Sequence, residues 1–374
     1  MQGMMIQTNP AVRLLTPSYL TSDKWVAEDF LTRRRFSIPP AGILLLVGSV
    51  EPIDYQMIIG RVADRLDIAP SPVQSLGDSL VSKRLLLDPS NIDTDEDLRW
   101  FKEICRRWSS YGWTEAVEYH MASFDYEFVG AGQEGRDESR RRMAQYSRLE
   151  PDNDRFKNYS SPKARISLPV PDETLVPNAA SLSWTNGTEP HELTQDNLMA
   201  LVSICFGIVG RRRVSYSQHP ILLRSSPSGG ARHPTEAYLL IIDVPGLRSG
   251  VYHVNVEHSE LELQSAMSFD PIEMRALFPT TFGRATFPLK AVLVLTSLFE
   301  RNMYRYREPR TFRTVHMDAG HISGTVQLVA KSLGVKAFVQ YGANEPAVER
   351  MLGIDGLDEG YMMSIGLGRG QSNS

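Results

Sequence analysis

Apolar residues recur every three or four positions in several stretches, which is the spacing of a helix with one buried face. The clearest stretch covers residues 315–333, and Gly334 ends it. Its apolar side chains are Val315, Ala319, Ile322, Val326, Val329 and Leu333. The same spacing predicts a helix over residues 193–206 and another that opens at Pro52 and extends to Leu66. A further helix carries Leu98 to Trp108, with Thr94 and Asp97 as its capping pair.

Short apolar runs between turn residues predict strands. In the second half of the chain these runs are residues 237–243, 251–256, 291–296 and 361–365. In the first half, residues 42–47 form a buried helix or the start of a strand, and residues 80–87 form a strand or a short helix. Helices alternating with short strands indicate an α+β protein.

The pattern divides the chain into three parts. Residues 1–130 contain small helices between short apolar runs, which resembles a winged-helix-like domain. Residues 131–177 carry the mixed charge run Arg136–Arg142 and, from Pro162 to Pro177, four prolines, so we interpret them as a linker or wrapping arm. The charge run is typical of a solvated helix face, and an acidic partner is the alternative. Residues 178–374 form the main domain.

Composition narrows the function classes. The chain has 374 residues, 42% of them hydrophobic, and a net charge of -4. These values indicate a globular protein and give no support to binding of nucleic acid. The two cysteines, Cys105 and Cys205, exclude a disulfide scaffold and a cysteine-built zinc site, and they favour a cytoplasmic location. No signal segment or membrane-spanning run is visible, so we expect no membrane partner.

The most informative segment is the small-residue block, which we define as residues 226–233, Ser-Pro-Ser-Gly-Gly-Ala-Arg-His. Residues without bulk let backbone amides approach a flat or anionic ligand, and Arg232 can then meet a phosphate or a ring carbonyl. A tight turn before a strand explains the same residues. No dinucleotide-binding or P-loop motif is present.

The small-residue block resembles the Pro-Ser-Gly-Gly-Ala-Arg-His-Pro segment of SagB-type dehydrogenases, flavin enzymes of the nitroreductase superfamily. Motifs of that family follow in the same order, and the resemblance covers about residues 180–370. It extends more weakly to Trp113, Tyr119-His120 and residues 156–159 in the N-terminal half. The matching motifs are Gly250-Val-Tyr-His253, Phe299-Glu-Arg301, Arg305-Tyr306, Phe312-Arg313, Asp318-Ala-Gly-His321 and Ile365-Gly366. The resemblance implies a nitroreductase-like flavin domain, with an antiparallel-rich sheet flanked by helices.

The resemblance also implies bound FMN. The implied cofactor-binding residues are Ser226, Pro227, Ser228, Gly229, Gly230, Arg232, Ser183, Tyr341, Gly342 and Arg369. The family's Arg-Arg-Ser-x-Arg motif, which holds the flavin phosphate, corresponds to residues 181–185, where only the serine remains, as Ser183. Arg211, Arg212 and Arg213, or Arg369, are the candidate replacements for the missing arginines. No metal site is expected.

Arg305 and Tyr306 are the candidate catalytic residues, because the family has Lys-Tyr or Arg-Tyr at this position. Azoline oxidation transfers a hydride to the flavin and a proton to a nearby acceptor. Arginine stays protonated, so Tyr306 is the better candidate for the proton and Arg305 for binding. The alternative is that the arginines of residues 301–313 simply form a basic loop edge.

Three functions follow from these residues. The first is an FMN-dependent, SagB-type azoline dehydrogenase that converts thiazoline or oxazoline rings to azoles in a ribosomally made, modified peptide. The second is another flavin oxidoreductase of the same fold, such as a peptide desaturase or a small-molecule nitroreductase. The third is a flavin-free scaffold subunit of a peptide-modifying complex, which the missing arginines favour.

The expected partners are a modified precursor peptide, a cyclodehydratase and, from the resemblance, a second copy of the chain in a homodimer. We expect residues 1–150 to pack on the flavin domain, to shape access to its site and not to bind nucleic acid. Capture of a leader peptide at a strand edge is one use of this part of the chain. An extension that stabilises a dimer or wraps the core is the other.

Overall fold

The computed structural model describes residues 3–19, 23–124, 126, 128, 130, 132–150, 155–175, 192–213 and 219–369. The chain divides into two compact units, Met1–Tyr126 and Glu127–Ser374. No helix among the described residues is both long enough and apolar enough to span a bilayer.

The first unit combines small sheets with helices. Its strands are β1 (Met5–Thr8), β2 (Val12–Leu15), β3 (Trp25–Asp29), β4 (Arg35–Ile38), β5 (Ile53–Asp54) and β6 (Leu86–Leu87). Its helices are α1 (Pro40–Gly48), α2 (Tyr55–Leu66), α3 (Pro70–Ser82), α4 (Pro89–Thr94), α5 (Glu96–Ser109) and α6 (Thr114–Ser123). The strand orders are β5-β1-β6 and β2-β3-β4, and α1, α2 and α3 share one apolar core. Its identification as a winged-helix domain stays a prediction.

Three local predictions in the first unit are wrong. Helix α2 begins at Tyr55 and not at Pro52, because the Asp54 side chain accepts a hydrogen bond from the Met57 amide at 3.0 Å and caps the helix. Helix α5 is capped by Asp95, which accepts from the amides of Asp97 and Leu98, and not by Thr94. Residues 80–87 are not one element, because Arg84 has a positive φ of 61° and separates the end of α3 from β6.

The second unit contains a sheet that is seven strands wide in the described residues. Its elements up to β12 are α7 (Gln133–Leu149), β7 (Ala164–Ser167), α8 (Gln195–Phe206), β8 (Gly210–Arg212), β9 (Ile221–Leu223), β10 (Thr235–Ile241), β11 (Gly250–Asn255) and β12 (Glu260–Ala266). They continue with α9 (Pro271–Leu277), α10 (Pro279–Arg284), β13 (Leu289–Leu298), α11 (Glu300–Met303), α12 (Thr311–Ser332), β14 (Val335–Gln340), α13 (Glu345–Leu352) and β15 (Glu359–Arg369). The strand order is β14-β15-β13-β10-β11-β12-β7, and every neighbouring pair is antiparallel.

Helices cover both faces of this sheet. Because successive side chains of a strand point to opposite faces, Leu239 packs toward α8 and α12, and Leu240 packs toward α9 and α13. The predicted α+β class and the predicted antiparallel-rich sheet flanked by helices are therefore confirmed.

The long predicted helix is confirmed as α12. It begins at Thr311, and Gly334 follows it with a positive φ of 68°. The predicted arm, residues 131–177, contributes α7 and the edge strand β7, which pairs with β12.

Candidate functional site

The small-residue block lies between β9 and β10, beside the middle of α12. Asp318 of α12 accepts hydrogen bonds from the Ser228 hydroxyl at 2.7 Å and from the Gly229 amide at 3.0 Å. Ser226 is also tied to α12, because its hydroxyl lies 2.7 Å from that of Thr325. The burial of Asp318 raises the pKa of its carboxyl, although the two hydrogen bonds oppose this shift. The block is thus anchored to α12 at its first half.

The second half of the block is a strained turn. Gly230, Ala231 and His233 all have positive φ, at 61°, 52° and 48°. Such a conformation costs a residue other than glycine about 1–2 kcal/mol. The Ser228 hydroxyl accepts from the His233 amide at 2.9 Å, which closes the turn. Backbone strain of this kind concentrates at functional sites, where the surroundings hold it in place.

A buried ion pair lies directly behind this turn. Arg301 and Glu236 are 2% and 4% exposed, and Nη1 of Arg301 lies 2.5 Å from Oε1 of Glu236. The other carboxylate oxygen of Glu236 lies 2.8 Å from Nε2 of His253. Burial alone would raise the pKa of Glu236, but Arg301 and His253 lower it to about 2, so the carboxylate is ionised at neutral pH.

A second arginine lies near the same carboxylate. Arg224 is 9% exposed, and its Nε and Nη1 have no hydrogen-bond partner in the described part of the chain. Burial lowers the pKa of Arg224 to about 10, so the side chain still carries its charge at neutral pH. Burial and the charge of Arg224 lower the pKa of His233 to about 3. The layer behind the block therefore holds two guanidinium groups, and the imidazole of His233, at the end of the block, is neutral.

The same sheet carries a second buried polar cluster. Lys157 forms an ion pair with Glu359 and donates to the Tyr238 hydroxyl at 2.6 Å. Tyr238 in turn donates to Glu359 at 3.0 Å, and Thr296 donates to the same oxygen at 2.6 Å. Desolvation would lower the pKa of Lys157, but Glu359 raises it. These contacts bring residues 156–159, where the family resemblance was weak, into the core of the second unit.

Tyr306 lies directly against the small-residue block. A Cβ atom added at Gly230 would overlap the Tyr306 hydroxyl and would lie 2.8 Å from Cζ of its ring. The guanidinium carbon of Arg305 lies 5.3 Å from the centroid of the same ring. The structure therefore brings the two candidate catalytic residues to the candidate cofactor residues, which are far away in the sequence.

Helix α7 packs across the loop that carries Tyr306. Arg305 donates to the Ser139 hydroxyl at 3.3 Å, and Arg307 lies over the Tyr146 ring at 4.0 Å from its centroid. Arg307 also forms an ion pair with Glu150, just beyond the helix. None of the residues of α7 is fully buried. The helix thus lies on the outside of the unit and contacts the loop that carries Tyr306.

The remaining predicted cofactor residues do not all join the block. Tyr341 and Gly342 follow edge strand β14, which lies three strands from β10 in the sheet, and the Gly342 carbonyl accepts from Thr280 at 2.7 Å. Arg369 is at the far end of β15, where it pairs with Val335. It lies eight positions beyond Tyr361, which at about 3.3 Å per residue is about 26 Å. Ser183 lies outside the described residues.

Sequence motifs alone did not assign site roles to Asp318, Arg301, Glu236 or Arg224. Asp318 and Arg301 lie in motifs that carried the resemblance, and those motifs are the sequence feature by which both residues could have been found. Nothing in the local sequence pairs Glu236 with Arg301, 65 positions away. In the part of the chain that the structure describes, no three His, Cys, Asp or Glu side chains come close enough to hold a metal ion.

The part of the chain that carries this site is similar to known proteins. The model of the nitroreductase family matches residues 189–369, which include the block, Tyr306 and α12. The trifolitoxin-processing protein TfxB of Rhizobium leguminosarum bv. trifolii is 29% identical over 269 residues, covering 67% of this chain and 69% of TfxB.

Two further matches are shorter or more distant. The nitroreductase-like protein MJ1384 of Methanocaldococcus jannaschii is 34% identical over 113 residues, which are 30% of this chain and about half (54%) of MJ1384. A chain of the E. coli microcin synthetase McbBCD complex, solved with truncated pro-MccB17 bound, is 18% identical with a TM-score of 0.41. That match covers 70% of this chain and 93% of the other.

Proposed function

We propose that this protein, whose residues 189–369 match the model of the nitroreductase family, is an FMN-dependent dehydrogenase that oxidises thiazoline or oxazoline rings to azoles in a ribosomally made, modified peptide. The observation that carries the proposal is the contact between the Tyr306 hydroxyl and Gly230, which joins a proton-transfer group to a small-residue surface. The relation to TfxB, a trifolitoxin-processing protein, supports a peptide as the substrate.

The residues of the block fit an FMN ring. Gly230 is exposed and carries no side chain, so a flat ring can approach its main chain on the side that Tyr306 does not cover. The guanidinium groups of Arg224 and Arg301 lie behind the turn and favour an electron-rich ligand at its surface. Ser226 to Gly230 and Arg232 would hold the ring, and bound FMN would supply the acceptor for a hydride.

The chain's own residues would then handle orientation and the proton. Conversion of an azoline to an azole removes a hydride from one ring carbon and a proton from the adjacent position. The Tyr306 hydroxyl oxygen is the atom at which we place the transfer of that proton. Arg305 is held by Ser139 and lies beside the Tyr306 ring, which suits it to binding the peptide. Helix α7 would exclude water on that side.

The direct test is the visible absorbance of the purified protein. We expect the spectrum of an oxidised flavin and, after denaturation, release of FMN rather than FAD. Incubation with a peptide carrying thiazoline rings should remove two hydrogens per ring, as measured by mass spectrometry, with oxygen or a second acceptor reoxidising the flavin. A colourless protein that FMN does not reconstitute would contradict the proposal and favour the flavin-free scaffold.

We further propose that the enzyme is a homodimer. Thr235, just after the block, aligns through Ser297 with Gly360 at one end of β15, whereas Arg369 is at the other end, and we propose that a second copy supplies the phosphate contacts. Helix α12 also exposes an apolar stripe that includes Met317 and Leu328, which are 56% and 43% exposed. Gly320 and Gly324, between them, have no neighbouring atom within 4 Å of an added Cβ.

The dimer proposal predicts that Met317→Glu combined with Leu328→Glu gives a monomer and loses FMN. Charges placed in an apolar contact between two copies must be desolvated without partners, which is costly. Size-exclusion chromatography with light scattering measures the mass. The control is Ile272→Glu on α9, an equally apolar and 80% exposed position on the other face of the sheet, which should stay dimeric. A double variant that stays dimeric would exclude this face as the interface.

The remaining partners are also proposals. A cyclodehydratase would supply the azoline rings, since these are the product of backbone cyclodehydration. We propose that the protein works in the cytoplasm, without nucleic acid and away from membranes.

A further inference from the structure

We infer that Glu236 is a positioning residue for the cofactor site, because it holds Arg301 in a clamp that keeps the strained turn at Ala231 to His233 in its binding conformation. Glu236 lies on β10, and the turn precedes that strand. The inference deepens the proposed function and rests on it for the identity of the ligand. The clamp itself is a property of the apoprotein.

The clamp consists of two reciprocal hydrogen bonds between the turn and Arg301. The Arg232 side chain donates from Nε to the Arg301 carbonyl at 2.6 Å. Arg301 donates from Nη1 to the His233 carbonyl at 3.0 Å. The side chains of Arg232 and Arg301 thus join the turn to the start of α11.

Glu236 decides where the Arg301 guanidinium lies. The ion pair at 2.5 Å uses the same Nη1 nitrogen that donates to the His233 carbonyl. Because Arg301 is only 2% exposed, water does not solvate its guanidinium group. Without the Glu236 carboxylate, the buried cations Arg301 and Arg224 would lose a negative charge that attracts both of them, and we expect them to move apart.

The two ends of the block are therefore held by two different carboxylates. Asp318 holds the first end, through the Ser228 hydroxyl and the Gly229 amide. Glu236 holds the other end through Arg301. A turn in this conformation persists only when its surroundings over-determine it, and these two anchors provide that.

The chain offers a matched control in Glu262. This carboxylate is 1% exposed and lies 3.6 Å from Nδ1 of His253, the ring nitrogen that does not face Glu236. Its other polar side-chain contacts are with Asn255 at 3.1 Å and Arg165 at 3.5 Å, and neither residue belongs to the turn. Glu262 thus shares the burial and the histidine contact of Glu236 but not its contact with Arg301. A general effect of removing a buried charge would appear at both positions.

The experiment uses the full-length protein and three variants. In Glu236→Met combined with Arg301→Met, the buried pair is replaced by apolar side chains of similar length, an exchange that often preserves stability. Arg301→Lys keeps the buried charge but has no guanidinium fork. Glu262→Gln is the control. The measurements are FMN affinity by fluorescence titration, thermal unfolding, and hydrogen exchange of the Gly229, Ala231 and His233 amides in the apoprotein.

We expect the double variant and Arg301→Lys to fold, to bind FMN at least about tenfold more weakly, as is common when a supporting contact behind a site is removed, and to exchange the three amides faster. Glu262→Gln should retain the affinity and the exchange rates of the wild type. If the double variant or, should it not fold, Arg301→Lys keeps wild-type affinity and exchange, the clamp does not exist. If the wild type binds no FMN, the proposed function fails, while the exchange rates still test the clamp.

Discussion

Tyr306→Phe should lower the turnover of the azoline peptide by about a hundredfold or more while FMN stays bound, because proton transfer by a positioned group contributes about that factor. The substitution removes only the hydroxyl, so the ring keeps its packing against Gly230 and its contact with Arg305. Turnover is measured at saturating peptide, and flavin content by absorbance.

Two companion variants sharpen this test. Tyr111→Phe, at a 79% exposed tyrosine of the first unit, makes the same chemical change outside the unit that carries the block and should leave turnover unchanged. Arg305→Lys introduces the lysine that the family often has and should retain activity if the role of Arg305 is binding through its charge. Unchanged turnover in Tyr306→Phe would remove this tyrosine from the mechanism.

Gly230→Ala should reduce turnover by a similar factor through a different cause. Alanine at a φ of 61° is strained by about 1 kcal/mol or more, and its methyl group would occupy the space of the Tyr306 hydroxyl. Tyr306 must therefore move away from the block, and the surface offered to the flavin changes as well. Both turnover and FMN affinity should fall.

The control for this prediction is Gly60→Ala in α2, where no atom lies within 4 Å of an added Cβ and the helical conformation favours alanine. It should be neutral or slightly stabilising. Combining Gly230→Ala with Tyr306→Phe tests the contact itself. Gly230→Ala displaces the Tyr306 hydroxyl from the block and Tyr306→Phe deletes it. Because each change alone already removes the hydroxyl from its place, their effects on turnover should be clearly less than additive. Additive effects would mean that the two residues act independently.

Hydrophobic periodicity predicted the long elements of the second unit. Helix α12 and strand β13 appear where the pattern places them, because a helix face or a buried strand needs apolar residues at fixed intervals. The ends of elements were less well predicted. Thr94 and Asp97 have the spacing of a capping pair, yet Asp95 caps α5, since its carboxylate reaches two amides at once.

The sequence of the small-residue block predicted some of its properties but not its backbone conformation. Its residues and the resemblance of residues 180–370 pointed to a flavin domain, and the family model matches residues 189–369. The block's composition also anticipated a turn. It did not reveal that Ala231 and His233 adopt positive φ, because the groups that hydrogen-bond to this segment, Asp318 and Arg301, lie in distant elements.

The amino-acid sequence by itself therefore determined the α+β class and the long helices and strands. Those properties depend on local spacing, which the chain displays directly, whereas the candidate site residues were implied by the family resemblance. Only the tertiary structure decided that Tyr306 meets Gly230, that Glu236 pairs with Arg301, and that Arg369 lies about 26 Å along β15 from the end that carries Tyr361. Strand order and register set these distances, and both are chosen by the packing of whole sheet faces rather than by any short segment.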